Sequence, residues 1–170
     1  MFESPVVVLG CGNTLFGDDG VAPRAVAELA AEAGDAVPPA DAPRAAYVDA
    51  GTSVRSLLAD LLLSGAKPRR LVLVDVVMEE GREPGSVREW PLPPPRSDGG
   101  ERPASLHQAP TPLLLAAVRQ RLGCEVRVLT VQAQHIPEEM DERLSPAVAG
   151  AIPNIKAAIA RLCDLTRSDT

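Results

Sequence analysis

Residues 6–13, Val-Val-Val-Leu-Gly-Cys-Gly-Asn, form the segment that decides the fold class. Four consecutive apolar residues, three of them β-branched, are typical of a strand that is buried on both faces of a parallel sheet. Gly10 ends the apolar run, and the loop that follows leads through Asp18 and Asp19 into an Ala-rich segment, 21–33, with the composition of a helix. A strand, a loop and a helix in this order predict the first half of a βαβ unit.

The alternation of strand and helix continues along the rest of the chain. Further strands are predicted at 45–48, 71–74, 86–90 and 126–131, and further helices at 53–63, 112–122 and 145–162. This spacing favours an α/β fold, in which helices cover both faces of a parallel sheet. We expect residues 1–170 to form a single domain. The segment 91–104, rich in Pro and Gly, is predicted to be a flexible insertion loop.

Composition argues against several classes of protein. The chain carries 17 Lys and Arg against 23 Asp and Glu, a net charge of −6, whereas a nucleic-acid binder usually presents a basic face. No apolar run approaches the roughly 20 residues of a membrane span, and the acidic N-terminus is unlike a signal peptide. Three scattered cysteines indicate a reducing compartment. We therefore expect a cytoplasmic monomer that binds neither nucleic acid nor membranes.

Acidic residues follow three of the predicted strands. Asp18 and Asp19 come after the first strand, Asp49 follows the second, and the third ends directly in Asp75. The carboxyl ends of parallel strands meet at one edge of the sheet, where open α/β folds bind their ligands. His107, just before a predicted helix, could reach the same edge. Clustered carboxylates repel one another unless a cation is present, so two carboxylates and an imidazole suggest a site for Zn, Fe or Ni.

Each of these residues also has a purely structural interpretation. An aspartate after a strand is often a helix N-cap or a first-turn residue. A nucleotide site is only weakly indicated, because the third glycine of the dinucleotide fingerprint would fall at position 15, which is Leu15. Cys11 has no histidine nearby in the sequence, which favours a small loop residue over a nucleophile. His135 follows the last predicted strand and is a weaker candidate for this edge than His107.

Five short motifs, in the same order, resemble those of the hydrogenase maturation endopeptidases. They are Gly10-Cys11-Gly12-Asn13-Thr14-Leu15 with Asp18-Asp19-Gly20, Asp49-Ala50-Gly51-Thr52, Leu73-Val74-Asp75, Ser105-Leu106-His107-Gln108, and Leu144-Ser145-Pro146 with Val148. The resemblance extends over nearly the whole chain. It implies a three-layer α/β/α fold with a mostly parallel, five-stranded sheet. It also implies an endopeptidase that removes a C-terminal extension from the large-subunit precursor of a nickel–iron hydrogenase after nickel insertion.

The resemblance further implies roles for the acidic residues and the histidine. Nickel would be supplied by the precursor, and Asp19, Asp75 and His107 would bind it and act in catalysis. Asp18 and Asp49 are supporting candidates, for example as a general base. The motifs lean toward the branch that processes deazaflavin-reducing or related cytoplasmic hydrogenases. Two alternatives stay open, namely a noncatalytic metal-binding chaperone for a hydrogenase subunit and a self-contained metal hydrolase.

Overall fold

The computed structural model describes residues 1–35, 45–92 and 111–165. The strands are β1 (Val6–Cys11), β2 (Ala45–Gly51), β3 (Arg70–Val77), β4 (Val87–Trp90) and β5 (Glu125–Gln132). The helices are α1 (Val21–Asp35), α2 (Val54–Leu63), α3 (Thr111–Leu122) and α4 (Pro146–Cys163), and a short 3-10 helix, Gly17–Gly20, leads into α1. Every strand and helix predicted from the sequence is therefore present, with small differences at the ends.

The five strands form one sheet in the order β2-β1-β3-β5-β4. Parallel pairs join β1 to β2, β1 to β3 and β3 to β5, and only β4 runs antiparallel, against β5. The prediction of a mostly parallel, five-stranded sheet is confirmed. The chain passes from β1 to β2 on one side and then crosses back to β3 on the other side. The strand order therefore reverses between β1 and β3, and in such folds this switch point is where ligands bind.

Helices cover both faces of the sheet, so the three-layer α/β/α arrangement is also confirmed. On one face, Val6 and Val8 of β1 share a core with side chains of α1 and α4. On the other face, Val7 and Leu9 share a core with side chains of α2 and α3. All six residues of β1 are buried, because this central strand is covered on both sides. The helix α4 continues without interruption through Pro153.

The strand β3 is longer than predicted, and this changes the setting of Asp75. The apolar run predicted a strand at 71–74, but β3 runs to Val77 because β5 continues to pair with it. The partner of Asp75 on β5 is Thr130. On its other side β1 has already ended its pairing with β3, at Val74. Asp75 therefore lies in a strand that is paired on one side only, next to the switch point.

The expectations of no membrane span and of an insertion loop can be compared only with the described residues. In the part of the chain that the structure describes, no helix is long and apolar enough to cross a membrane. The predicted insertion loop lies outside the described residues except for Pro91 and Leu92. The single-domain assignment and the insertion loop stay predictions.

Candidate active site

Three of the predicted acidic residues converge at the switch point around Cys11. Cys11 is the last residue of β1, and it is buried in the core that α2 and α3 cover. Burial raises the pKa of the Cys11 thiol, and the negative charges of Asp75, Asp49 and Asp19 raise it further. The protonated thiol is a weak nucleophile, which favours the structural interpretation of Cys11. The common effect of the three aspartates on one thiol indicates that each of them lies near Cys11.

The carboxylate of Asp75 has a raised pKa. Burial raises its pKa, a hydrogen bond from the Val76 N–H to Oδ1 at 2.9 Å opposes this, and the charge of Asp19 raises it again. Alternate residues of a strand point to opposite faces, and Leu73 belongs to the core beneath α2 and α3, so Asp75 points to that face as Cys11 does. An acid with a raised pKa can hold or release a proton nearer to neutral pH.

Asp19 is held by the loop that follows β1. Its Oδ2 accepts a hydrogen bond of 2.7 Å from the Asn13 N–H. The loop approaches the 3-10 helix so closely that a Cβ on Gly12 would lie 1.9 Å from the backbone oxygen of Asp19, and Gly12 has a φ of +128°. Only glycine fits both conditions. The glycine that suggested a nucleotide loop therefore serves to bring the backbone against Asp19.

Asp49 lies at the rim of a small pocket beside the same loop. Its Oδ1 accepts a hydrogen bond of 2.9 Å from the Gly51 N–H, and the side chain is otherwise exposed. The Gly12 N–H donates to the Gly51 carbonyl at 3.1 Å, which joins the loops that follow β1 and β2. The pocket has a volume of about 190 Å³ and is lined by Gly12, Asn13, Thr14, Asp49, Gly51 and Thr52.

Asp18 differs from its neighbour because its carboxylate is fully buried and occupied by hydrogen bonds. Oδ1 accepts from the Ser145 N–H at 2.7 Å. Oδ2 accepts from the N–H groups of Gln134 and His135 and from the Ser145 hydroxyl, at 2.8–2.9 Å. Asp18 thus fastens the loop after β1 to the segment after β5 and to the start of α4. These contacts favour a positioning role, with no oxygen left over for a general base.

Of the two histidines, only His135 lies within the described residues. His107 lies outside the described residues, so its place in the site stays a prediction. His135 is exposed and lines a separate pocket of about 260 Å³ with Asp141, Arg143 and other residues of the 135–145 segment. Within the ranges that the structure describes, no three His, Cys, Asp or Glu side chains are arranged to hold a metal ion. Asp19 and Asp75 are therefore two ligands at most from the described chain.

The described part of the chain leaves this acidic site without a compensating cation. None of the ion pairs between described residues involves Asp19, Asp49 or Asp75. Carboxylates with free oxygens can bind a metal ion or accept a proton from water. The contribution of the Asn13 N–H was not identified from the sequence, although Asn13 belongs to the first of the five motifs. The presence of Asn13 in that motif is the sequence feature that could have indicated its role.

Comparison with solved structures supports the fold. The HycI [NiFe] hydrogenase maturation protease of Thermococcus kodakarensis KOD1 superposes with a TM-score of 0.66 at 19% identity, over 93% of this chain and 91% of that one. HybD, a [NiFe] hydrogenase maturation protease from Thermococcus kodakarensis, gives a TM-score of 0.62 at 22% identity, over 94% and 99% of the two chains.

Sequence comparison identifies a relative and the family. The coenzyme F420 hydrogenase subunit delta of Methanothermobacter thermautotrophicus is 32% identical over 89 residues, 52% of this chain and 52% of that protein. The match thus spans about half the length of either protein. The family model of HycI, hydrogenase maturation protease, matches residues 24–162. This match covers most of the chain, so the protein belongs to the hydrogenase maturation protease family.

Proposed function

We propose that this peptidase removes the C-terminal extension of a nickel–iron hydrogenase large-subunit precursor, and that it does so only after nickel has been inserted. The observation that carries the proposal is the pair Asp19 and Asp75 at the switch point, without a cation among the described residues. Family membership supports the peptidase activity. The two carboxylates, which can bind a divalent cation, support the nickel dependence.

Nickel bound to the precursor would act as the element that is recognised. Asp19 and Asp75 repel each other, and a divalent ion brought by the substrate removes this repulsion while it gains carboxylate ligands. A precursor without nickel offers no such gain, so it binds less tightly. Specificity for the loaded precursor therefore comes from the metal–carboxylate bonds and from the relief of repulsion between Asp19 and Asp75, neither of which an unloaded precursor provides.

His107 is the proposed third ligand. Only two residues separate the end of α3 from the start of β5, so α3 runs antiparallel to β5. Its first residue, Thr111, consequently lies at the carboxyl edge of the sheet, where Asp19 and Asp75 are found. His107 precedes Thr111 by four residues in the sequence. We propose that its imidazole completes a site of two carboxylates and one nitrogen, a set suited to nickel.

The proposed reaction is the hydrolysis of one peptide bond. Water adds its oxygen to the scissile carbonyl carbon, and the amine of the released extension takes up a proton. Asp75 is the better candidate to accept the proton from water, because its pKa is raised and its site is partly open. Asp49 is a second candidate at the pocket rim, whereas the oxygens of Asp18 are already occupied. Nickel on the precursor would polarise the carbonyl or the water.

The identity of the precursor is also part of the proposal. The curated relative is named as a subunit of coenzyme F420 hydrogenase, and F420 is a deazaflavin. We propose a precursor of this cytoplasmic class, processed by a monomer of the present chain. The acidic surface, with a net charge of −6, suits transient contact with a partner rather than binding to nucleic acid.

The test compares two samples of the same purified precursor, one loaded with nickel and one without it. Intact-mass spectrometry should show loss of a C-terminal peptide only in the loaded sample. Equal cleavage of both samples would contradict nickel recognition. A stable complex in which the precursor keeps its full length would instead favour the chaperone. Tightly bound, stoichiometric metal in the isolated protein would favour the self-contained hydrolase.

A further inference from the structure

We infer that Leu15 and Met140 form a docking surface for the folded precursor, beside the carboxylates that contact its nickel. This inference rests on the proposed function and adds the place where the partner protein makes apolar contact. We call the two residues the Leu15–Met140 platform. Leu15 is 36% exposed and Met140 is 69% exposed, although both are large apolar side chains.

Backbone contacts place the two residues side by side. Phe16 and Asp141 form a parallel β-bridge, in which the Asp141 N–H donates to the Leu15 carbonyl at 3.0 Å and the Gly17 N–H donates to the Asp141 carbonyl at 2.6 Å. Residues that precede the two partners of a parallel bridge are also neighbours, so Leu15 lies beside Met140. The platform is therefore a fixed pair, although its members are 125 residues apart in sequence.

The platform is connected directly to the loop that holds Asp19. The Asn13 side chain accepts a hydrogen bond of 3.0 Å from the Leu15 N–H, while the Asn13 N–H donates to the Asp19 carboxylate at 2.7 Å. The guanidinium of Arg24, on α1, donates to the carbonyls of both Thr14 and Glu142, which joins the two backbone segments a second time. A partner that contacts the platform is thus held at a defined position relative to Asp19.

The charges around the platform determine what kind of partner surface fits it. Glu138, Glu139 and Glu142 are exposed beside Met140, and Asp141 is paired with the exposed Arg143. An apolar centre with an acidic rim is complementary to an apolar side chain flanked by Lys or Arg. The occupant is therefore a face of the precursor that presents an apolar residue within a basic border, next to its nickel site.

Leu63 offers a matched control elsewhere on the molecule. It is 68% exposed, nearly the same as Met140, but it is the last residue of α2. The end of α2 leads into β3, so Leu63 lies toward the amino edge of the sheet, opposite to the platform. A surface substitution that acts only through solubility should have the same effect at both positions.

The experiment measures binding and cleavage of nickel-loaded precursor by the wild type and by the variants Met140→Lys, Met140→Glu and Leu63→Lys. Met140→Lys should raise both Kd and KM by about tenfold or more, because it removes apolar contact and repels the basic border, while kcat stays unchanged. Met140→Glu should have a smaller effect, and Leu63→Lys should have none. Higher salt should weaken binding of the wild type.

The outcomes separate the platform from the proteolytic function. Cleavage by Met140→Lys with an unchanged KM would overturn the platform and leave the proposed function standing. If the wild type binds the precursor without cutting it and Met140→Lys loses binding, the platform stands and the proteolytic function fails. Concentration-dependent self-association that Met140→Lys abolishes would reassign the surface to a second copy of this chain. Absence of binding by the wild type would overturn both proposals.

Discussion

The two ends of the same sheet differ in whether their charged side chains are paired. At the amino end, Arg70 is the first residue of β3 and is only 4% exposed, yet it is bonded to Glu125, the first residue of β5, at 2.7 Å. It also donates to the carbonyls of Leu162 and Asp164. At the carboxyl end, Asp19 and Asp75 have no ion-pair partner within the described residues. Charge beside the sheet is thus neutralised at the amino end. The unpaired carboxylates at the carboxyl end therefore need an explanation other than stability.

The difference teaches how structural and functional charge can be separated in one fold. Charges that serve stability are paired and have their hydrogen bonds satisfied, as Arg70 does. Charges held near one another without partners cost stability, and such sites are retained where a ligand completes them. Net charge alone does not make this distinction, because both ends contain carboxylates. The following predictions test it, beginning with the largest effect.

Asp19→Asn should remove nearly all cleavage of nickel-loaded precursor, by at least about a hundredfold in kcat/KM, which corresponds to about 2.7 kcal/mol. The amide keeps an oxygen for the Asn13 N–H, so thermal stability should change little. Asp60→Asn, on the exposed surface of α2, is the matched control and should cleave normally. Full activity of Asp19→Asn, measured by mass spectrometry of the product, would remove Asp19 from the site.

Arg70→Met should have the opposite profile. Loss of the buried guanidinium leaves two carbonyls without their donor and leaves Glu125 with Arg127 alone, at a cost of about 3 kcal/mol in the free energy of unfolding. In a chain of this length that lowers Tm by about 6–12 °C. Arg143→Met removes an equally well-formed pair with Asp141, but that pair is exposed, so Tm should hardly move. The kcat of the folded protein should be unchanged in both variants, and a lower kcat in Arg70→Met would contradict the separation of the two ends.

Asp75→Asn should make the isolated protein more stable at neutral pH while it abolishes cleavage. The folded state raises the pKa of Asp75, so the native protein binds more protons than the unfolded chain and loses stability as pH rises through this range. The amide removes that loss, and a rise in Tm of about 2–4 °C at pH 7 would correspond to about 1 kcal/mol. The gain should shrink as pH falls toward the unfolded pKa of aspartate. Thermal unfolding across a pH series measures this, and a lower Tm at pH 7 would contradict it.

Glu125→Gln should show the reverse pH dependence with a smaller amplitude. Burial works to raise the pKa of Glu125, but hydrogen bonds from Arg127 and Arg70 outweigh it, and the net result is a lowered pKa. The stabilisation is therefore present above the unfolded pKa of glutamate and is lost as pH falls through the folded pKa. Because Glu125 is partly exposed, we expect a loss below about 1 kcal/mol at pH 7. If wild type and variant still differ in stability at a pH well below the folded pKa of Glu125, the assignment is wrong.

The sequence predicted the fold well because the fold depends on local patterns. Buried β-branched runs such as Val6–Leu9 are visible without any knowledge of their neighbours, and so are the turns that separate strands from helices. The end of β3 was placed too early, because the charged Asp75 interrupts the apolar run, although Val76 and Val77 continue the strand and pair with β5. The strand predicted at 86–90 is present as β4, and its antiparallel pairing with β5 was not predicted.

The candidate site was predictable only in part, because position after a strand does not determine what a carboxylate contacts. Asp18 and Asp19 are adjacent in sequence, yet one is buried and fully bonded while the other is partly open. The partners of Asp18 are more than 100 residues away, beyond the reach of any local pattern. The buried ion pair of Arg70 was missed for the same reason. His107, on which the third ligand depends, stays a prediction.

The hydrogen bonds of Asp18 also have a consequence for the order in which the protein is made. Its donors are Gln134, His135 and Ser145, so the carboxylate has none of these partners until residue 145 has been synthesised. A buried carboxylate without donors is strongly unfavourable, and the loop that carries Asp19 cannot settle before then. We therefore expect the acidic site to form only after residue 145 has been synthesised.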